Sequence, residues 1–173
     1  MDQFIQSVLD TLYPFIAHDE RFSYMTKDEL KSIKTVSTNC GINSELLFDL
    51  LRISNESVIY WSKLSEFESK MNSENANGLD ENTIYKVYSV WDHNAGGHPH
   101  VANFYCDNHQ WIFTESRANV SKLRFTRYSK EGLLESLNGR EKISRWQEIV
   151  GCKMDLSKPN IMKNKETYIA NFR

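Results

Sequence analysis

The feature that most constrains the fold is a change of hydrophobic period along the chain. From 1 to about 53 the apolar residues recur at helical spacing, first at Phe4, Val8 and Leu12 and then through 46–51. Between 83 and 128 the pattern changes to short aromatic and β-branched runs separated by turn residues. These runs are TIYKVYSVW, HVANFY, WIFTE and LRFTRY. A helical part followed by consecutive strands predicts the α+β class, with the strands forming an antiparallel meander over 83–128.

The other segments fit a single domain over 1–173, the usual size for one core, with a helical part at 1–55 and a short strand near 57–61. The polar, Asn- and Ser-rich stretch 66–82 predicts a surface loop. Two apolar stripes follow the meander, one ending at Asn138-Gly139 and one running from Ile143 to Val150, and they predict two short helices. The end of the chain has no clear period, so 129–173 is interpreted as helices and a tail.

Charge and composition argue against several classes of protein. The chain carries 21 basic and 23 acidic side chains, a formal charge of −2, which disfavours nonspecific nucleic-acid binding. No apolar run reaches the roughly 18 residues of a spanning helix, and MDQFIQSVLD lacks the basic start of a signal peptide. The three cysteines are widely spaced without a CxxC pair, which favours free thiols. We therefore expect a cytoplasmic protein, or an effector exported by dedicated machinery, with no membrane or nucleic-acid partner and an oligomeric state that the sequence does not fix.

Four of the five histidines lie within seventeen residues, between His93 and His109. One interpretation is a metal-binding domain, because imidazole, carboxylate and thiolate groups are common zinc ligands. Its ligands would come from Asp92, His93, His98, His100 and Cys106. Their spacing matches no established zinc pattern, so we expect neither a metal nor another cofactor. The alternative is a set of histidines distributed over turns and a solvated strand face.

Cys40 stands where a helix is expected to begin, directly after the potential caps Ser37, Thr38 and Asn39. Free backbone amides and the positive end of the helix dipole favour a thiolate at such a position, and the same amides can donate to an oxyanion. A nucleophilic cysteine also needs a histidine base, and that histidine needs an acidic or amide partner. The alternative is a small buried thiol at a helix start.

Two stretches carry a resemblance to a known family. TNCGINSELLFDLLR resembles the nucleophile helix of transglutaminase-like cysteine enzymes, in the positions of Cys40, Ser44 and the Leu-Leu-Arg ending at 50–52. HVANFYCDNHQWIFTE resembles the histidine and acid strands of the same family, with matching positions at His100, Asn103, Asp107, Trp111 and Glu115. The resemblance covers about 76 residues, from Cys40 to Glu115.

The resemblance implies a papain-like, transglutaminase-like core, in which the Cys40 helix packs on an antiparallel sheet bearing His100 and Glu115. It also implies a catalytic triad of these three residues. The expected activity is acyl transfer on a carboxamide or peptide bond of a protein or peptide, as in a thiol protease, a deamidase or a transglutaminase. The family usually has Asp as its acid, and Glu115 is one methylene longer.

Four further residues are expected beside the triad. Asn39 or Ser37 is the candidate second oxyanion donor, beside the Cys40 N–H as the first. His98 is an alternative base on the same strand face as His100. Ala102 replaces a family aromatic and predicts a wider site, while Trp111 is either a substrate neighbour or a packing residue. A noncatalytic protein-interaction module on the same fold, with Cys40 merely buried, is the alternative function.

Overall fold

A six-stranded antiparallel sheet with helices on both faces organises the chain in the computed structural model, which is of the α+β class. The structure describes residues 1–22, 26, 40–61, 79–93, 96–116 and 122–173. Within these ranges, the side chains of 58–61, 91–93, 96–98 and 141–146 are not described.

Two α-helices come before the first five strands in the described residues, and the last strand lies between the last two helices. The α-helices of the described residues are α1 (Asp2–Leu12), α2 (Cys40–Leu51), α3 (Lys130–Ile143) and α4 (Lys158–Ala170). Two 3₁₀ helices follow α1, at Tyr13–His18 and Glu20–Phe22. The strands are β1 (Val58–Trp61), β2 (Thr83–His93), β3 (Gly96–Asp107), β4 (Gln110–Ser116), β5 (Leu123–Tyr128) and β6 (Ser144–Lys153).

The strand order is β1-β6-β2-β3-β4-β5. Strands β2 to β5 are neighbours in chain order and pair antiparallel, so the predicted meander over 83–128 is confirmed. The short strand expected near 57–61 is confirmed as β1, which pairs with β6. The start of α2 at Cys40 confirms the predicted helix start, whereas 37–39 and most of the expected loop at 66–82 lie outside the described residues.

The second helix predicted after the meander is wrong, because 144–153 forms β6 between β1 and β2. Ile149 joins the core on one face of the sheet, and Cys152 joins the core on the other. A strand buried on both faces carries apolar residues in a nearly continuous run, which local spacing does not distinguish from a short helix. Pairing with two neighbouring strands decides the conformation here.

The segments before and after this strand also differ from the prediction. The helix expected to stop at Asn138-Gly139 continues as α3 to Ile143, since burial of Leu133 and Leu137 offsets the roughly 1 kcal/mol that an internal glycine costs. The tail, which has no clear period in the sequence, contains α4. Ser157 caps α4 by accepting a hydrogen bond from the Asn160 N–H.

Each face of the sheet has its own core. Helices α1, α2 and α4 cover one face, and α2 is apolar on nearly all sides because it lies between the sheet and the other two helices. Helix α3 covers the other face, where Leu133 and Leu137 pack with Phe104 and Phe113. The two layers place α2 and α3 on opposite sides of β3 and β4.

Candidate active site

Cys40 is the first residue of α2, and its side chain is half-buried. The backbone N–H groups at the start of a helix have no partner within the helix, so they and the helix dipole favour negative charge there. The N–H of Val101 in β3 also donates to the Cys40 Sγ, at 3.4 Å. The thiol therefore lies between a helix start and a strand edge.

That strand edge is open because β3 and β4 separate at this point. Their ladder runs from Asp107 opposite Gln110 to Asn103 opposite Thr114 and stops there. Continuing the same register would place Val101 opposite Ser116. We call this opening, between Val101 and Ser116, the β3–β4 fork.

The first turn of α2 occupies the β3–β4 fork. Cys40 accepts the Val101 N–H on one side, and the Asn43 side-chain amide donates to Ser116 Oγ on the other, at 2.7 Å. Asn103, where the ladder ends, donates its side-chain amide to the Ser44 carbonyl at 3.4 Å. The helix thus replaces the missing strand pairs, and this position brings Cys40 beside His100.

His100 and Glu115 come together on the α3 face of the sheet. His100 lies in register with Ser89 of β2, two residues before Ala102, and Glu115 lies two residues after Phe113. The Nε2 of His100 is 3.5 Å from the Oε2 of Glu115. Their side chains are 25% and 22% exposed, so both are open to solvent without being freely hydrated.

The ionisation of the three groups is coupled. Burial raises the pKa of the Cys40 thiol, but a hydrogen bond with His100, the Val101 N–H and the nearby imidazolium outweigh burial and lower it overall. Hydrogen bonds with Cys40 and then Glu115 raise the pKa of His100 to about 9. The hydrogen bond from His100 lowers the pKa of Glu115, with Arg140 adding to the effect. All three directions favour a thiolate and an imidazolium near neutral pH.

Arg140 of α3 also reaches this site. Its Nη2 lies 3.2 Å from the same Oε2 of Glu115 that faces His100. Sequence reasoning missed Arg140 because the predicted helix ended before it. Arg140 lies at helical spacing from Leu133 and Leu137, on the same stripe of α3. A predicted helix that continued past Gly139 would have placed Arg140 on the face that packs on the sheet.

Two of the residues expected beside the triad, Trp111 and Ala102, are buried in the core under α3. Trp111 as a substrate neighbour is wrong: it lies opposite Cys106, about 20 Å along β3 from His100, and is buried against Tyr85 and Phe104. The packing interpretation of Trp111 is confirmed. Ala102 lies on the same strand face as His100 but is buried in the core under α3. It therefore does not widen the site, which was the expectation from the sequence.

The structure does not describe the side chains of the other two expected neighbours. Asn39 lies outside the described residues, and His98 lies on β3 with its side chain not described. The same holds for the side chains of Asp92 and His93 in the metal hypothesis. Among the residues that the structure does describe, no three His, Cys, Asp or Glu side chains form a group that could hold a metal ion.

The remaining cysteines differ from Cys40. Cys106 and Cys152 are both buried, and burial raises the pKa of each thiol. Cys152 donates to the Ser54 carbonyl at 2.9 Å. All three cysteines are free thiols, and only Cys40 has a lowered pKa.

A cavity of about 680 Å³ lies at the opposite end of α2, where Asp49 and Arg52 contribute to its wall. It includes neither Cys40 nor His100. In the described part of the chain, no helix has the length and apolar character needed to cross a membrane.

Comparison with protein-family models, with curated proteins and with solved structures found no match for this chain.

Proposed function

We propose that this protein is a cysteine-dependent acyl-transfer enzyme, acting on a carboxamide or peptide bond of a protein or peptide. The observation that carries the proposal is the position of Cys40. Its thiol lies at the start of a buried helix and interacts with His100, whose Nε2 faces a carboxylate, Glu115. A nucleophile, a base and an orienting acid in hydrogen-bonding sequence are the minimum set for this chemistry.

The order of the elements supports a papain-like, transglutaminase-like arrangement. The helix carrying the cysteine precedes the strand with His100, and the strand with Glu115 follows directly. All three elements meet at the β3–β4 fork. The buried free thiols at 106 and 152 fit a reducing compartment such as the cytoplasm.

The reaction follows from the assigned roles. The Cys40 thiolate attacks the carbonyl carbon and forms a C–S bond, while the negative charge develops on the carbonyl oxygen near the amides of the first turn of α2. When the C–N bond breaks, the His100 imidazolium donates its proton to the leaving amine or ammonia. Because Nε2 engages Glu115, Nδ1 is the ring nitrogen left for the thiol and the leaving group.

The second half of the reaction releases the thioester. His100, now neutral, takes a proton from water or from an acceptor amine, which attacks the thioester carbonyl and breaks the C–S bond. Water gives hydrolysis or deamidation, and an amine gives a crosslink.

The pH dependence of alkylation by iodoacetamide, followed by peptide mass spectrometry, tests the proposal. Cys40 is expected to react faster than Cys106 and Cys152 in the same sample, with an apparent pKa below the roughly 8.5 of a free thiol. His100→Ala is expected to remove this difference. If Cys40 reacts no faster than the two buried thiols, the enzyme assignment is wrong and the noncatalytic interaction module takes its place.

A glutamine-containing peptide, with and without monodansylcadaverine, then identifies the acceptor. Ammonia release without the amine indicates deamidation, incorporation of the dansyl group indicates crosslinking, and peptide cleavage indicates proteolysis. Cys40→Ala is the matched control and should abolish all three.

A further inference from the structure

One oxygen of Glu115 faces two cationic side chains. The Oε2 atom lies 3.5 Å from the His100 Nε2 and 3.2 Å from the Arg140 Nη2. Arg140 belongs to α3, which carries none of the three residues assigned to the reaction. A second cation therefore competes with His100 for the same acceptor atom.

Packing holds Arg140 in this position. Its guanidinium lies over the Phe113 ring, 4.4 Å from the centroid, and its side chain is only 21% exposed. Phe113 is two residues before Glu115, so both contacts of Arg140 are on one face of β4. The guanidinium is thus positioned by the core and not only by the carboxylate.

Other described groups around the pair do not offer the same interaction. Ser89 of β2, which lies in register with His100, is uncharged. Arg124 of β5 lies directly opposite Glu115 in the ladder but is exposed and makes no ion pair with it in the described structure. Cys40 of α2 also interacts with His100, but it is a thiol and not a cation. Among these groups, Arg140 is the cation that shares the carboxylate.

We propose that Arg140 is a positioning residue of this site, which divides the Glu115 carboxylate between two cations and so weakens its hold on the His100 imidazolium. A carboxylate that binds one imidazolium alone stabilises the imidazolium charge more strongly than a carboxylate that also binds a second cation. The imidazolium is then a weaker acid. A general acid that must protonate a leaving amine near neutral pH works best when its pKa is close to that pH. The catalytic meaning of this division rests on the proposed function, whereas the electrostatic effect does not.

The test is an NMR titration of the His100 ring in Cys40→Ser protein, so that ionisation of the thiol does not overlap with that of the imidazole. Arg140→Gln is expected to raise the His100 pKa by about half a unit or more, because one of two cations is removed from the carboxylate. Arg140→Lys keeps the charge and should remain close to the parent. Arg127→Gln is the matched control, since Arg127 pairs with Asp2 on α1, and it should leave the titration unchanged.

An unchanged or lowered His100 pKa in Arg140→Gln would overturn the proposal. Should that variant not fold, Arg140→Met keeps the aliphatic packing on Phe113 and makes the same comparison. These titrations do not depend on turnover, so an unreactive Cys40 in the parent chain would overturn the enzyme assignment while leaving the result for Arg140 readable.

Discussion

At the scale of single residues, the site depends on a proton shared between a thiol and an imidazole. The lowered pKa of Cys40 and the raised pKa of His100, about 9, widen the pH range in which both groups are charged. Because the His100 pKa is raised above its ordinary 6.5, the stabilisation from its charge is fully present below 6.5 and is lost as pH rises through about 9. Iodoacetamide needs only the thiolate, so alkylation should persist above pH 9, where proton donation to a leaving group fails.

Glu115→Gln tests this coupling. Removing the carboxylate takes away a hydrogen bond and a negative charge that favour the imidazolium, so the His100 pKa is expected to fall. A less stable imidazolium supports the thiolate less well, and the alkylation curve of Cys40 should move to higher pH. NMR titration of the His100 ring measures the first effect, and alkylation of Cys40 in the same preparation measures the second. Unmoved curves would show that Glu115 has no part in the ionisation of the pair.

At the scale of elements, the site exists because a helix enters a sheet where two strands separate. Asn43 connects the first turn of α2 to both neighbours: its amide nitrogen donates to Ser116, and its amide oxygen accepts from the Tyr13 hydroxyl at 2.6 Å. Asn43 is 3% exposed. This buried amide, with partners on two elements, fixes the first turn of α2 in the β3–β4 fork and so the position of Cys40 relative to His100.

Asn43→Ala is expected to lower the free energy of unfolding by about 1–3 kcal/mol, because the Tyr13 hydroxyl and Ser116 lose buried hydrogen-bond partners. It should also slow the alkylation of Cys40, since α2 loses its connection to β4. Tyr13→Phe removes one of the two bonds and leaves the Ser116 contact, so it should destabilise the protein while leaving the alkylation rate closer to the parent. Urea unfolding and the alkylation rate measure the two effects. Equal alkylation in all three proteins would argue against a role for Asn43 in placing the thiol.

At the scale of the whole molecule, a buried carboxylate connects the start of the chain to its end. Asp19 accepts hydrogen bonds from the Arg21 side chain and, at 2.7 Å, from the Tyr168 hydroxyl of α4. Arg21 also pairs with Asp49 of α2 at 2.8 Å. Burial raises the pKa of Asp19, but the hydrogen bonds from Arg21 and Tyr168 outweigh it and lower the pKa overall.

Asp19→Asn is expected to lower the free energy of unfolding at pH 7 by about 2 kcal/mol, the usual size for hydrogen bonds to a charged group. Because the folded-state pKa lies below the ordinary value of 3.8, this contribution is present above pH 3.8 and is lost as pH falls below it. The difference between the two proteins should therefore shrink toward pH 3. Urea unfolding at both pH values measures it, with Tyr168→Phe as a control that removes one bond and keeps the charge. A difference that is the same at pH 3 and pH 7 would contradict the assigned charge state.

Local sequence is enough to predict the parts of this protein that depend on neighbouring residues. The period of the apolar residues predicted α1 and the meander, and the potential caps at 37–39 predicted the start of α2 at Cys40. The resemblance put Cys40, His100 and Glu115 forward as one set. Tertiary structure decided what depends on residues distant in the chain. Pairing with β1 and β2 made 144–153 a strand, and the separation of β3 from β4 opened the fork that Asn43 and Cys40 occupy. The extension of α3 brought Arg140 to Glu115, because burial against a sheet outweighs the local preference of Asn138-Gly139 to end a helix.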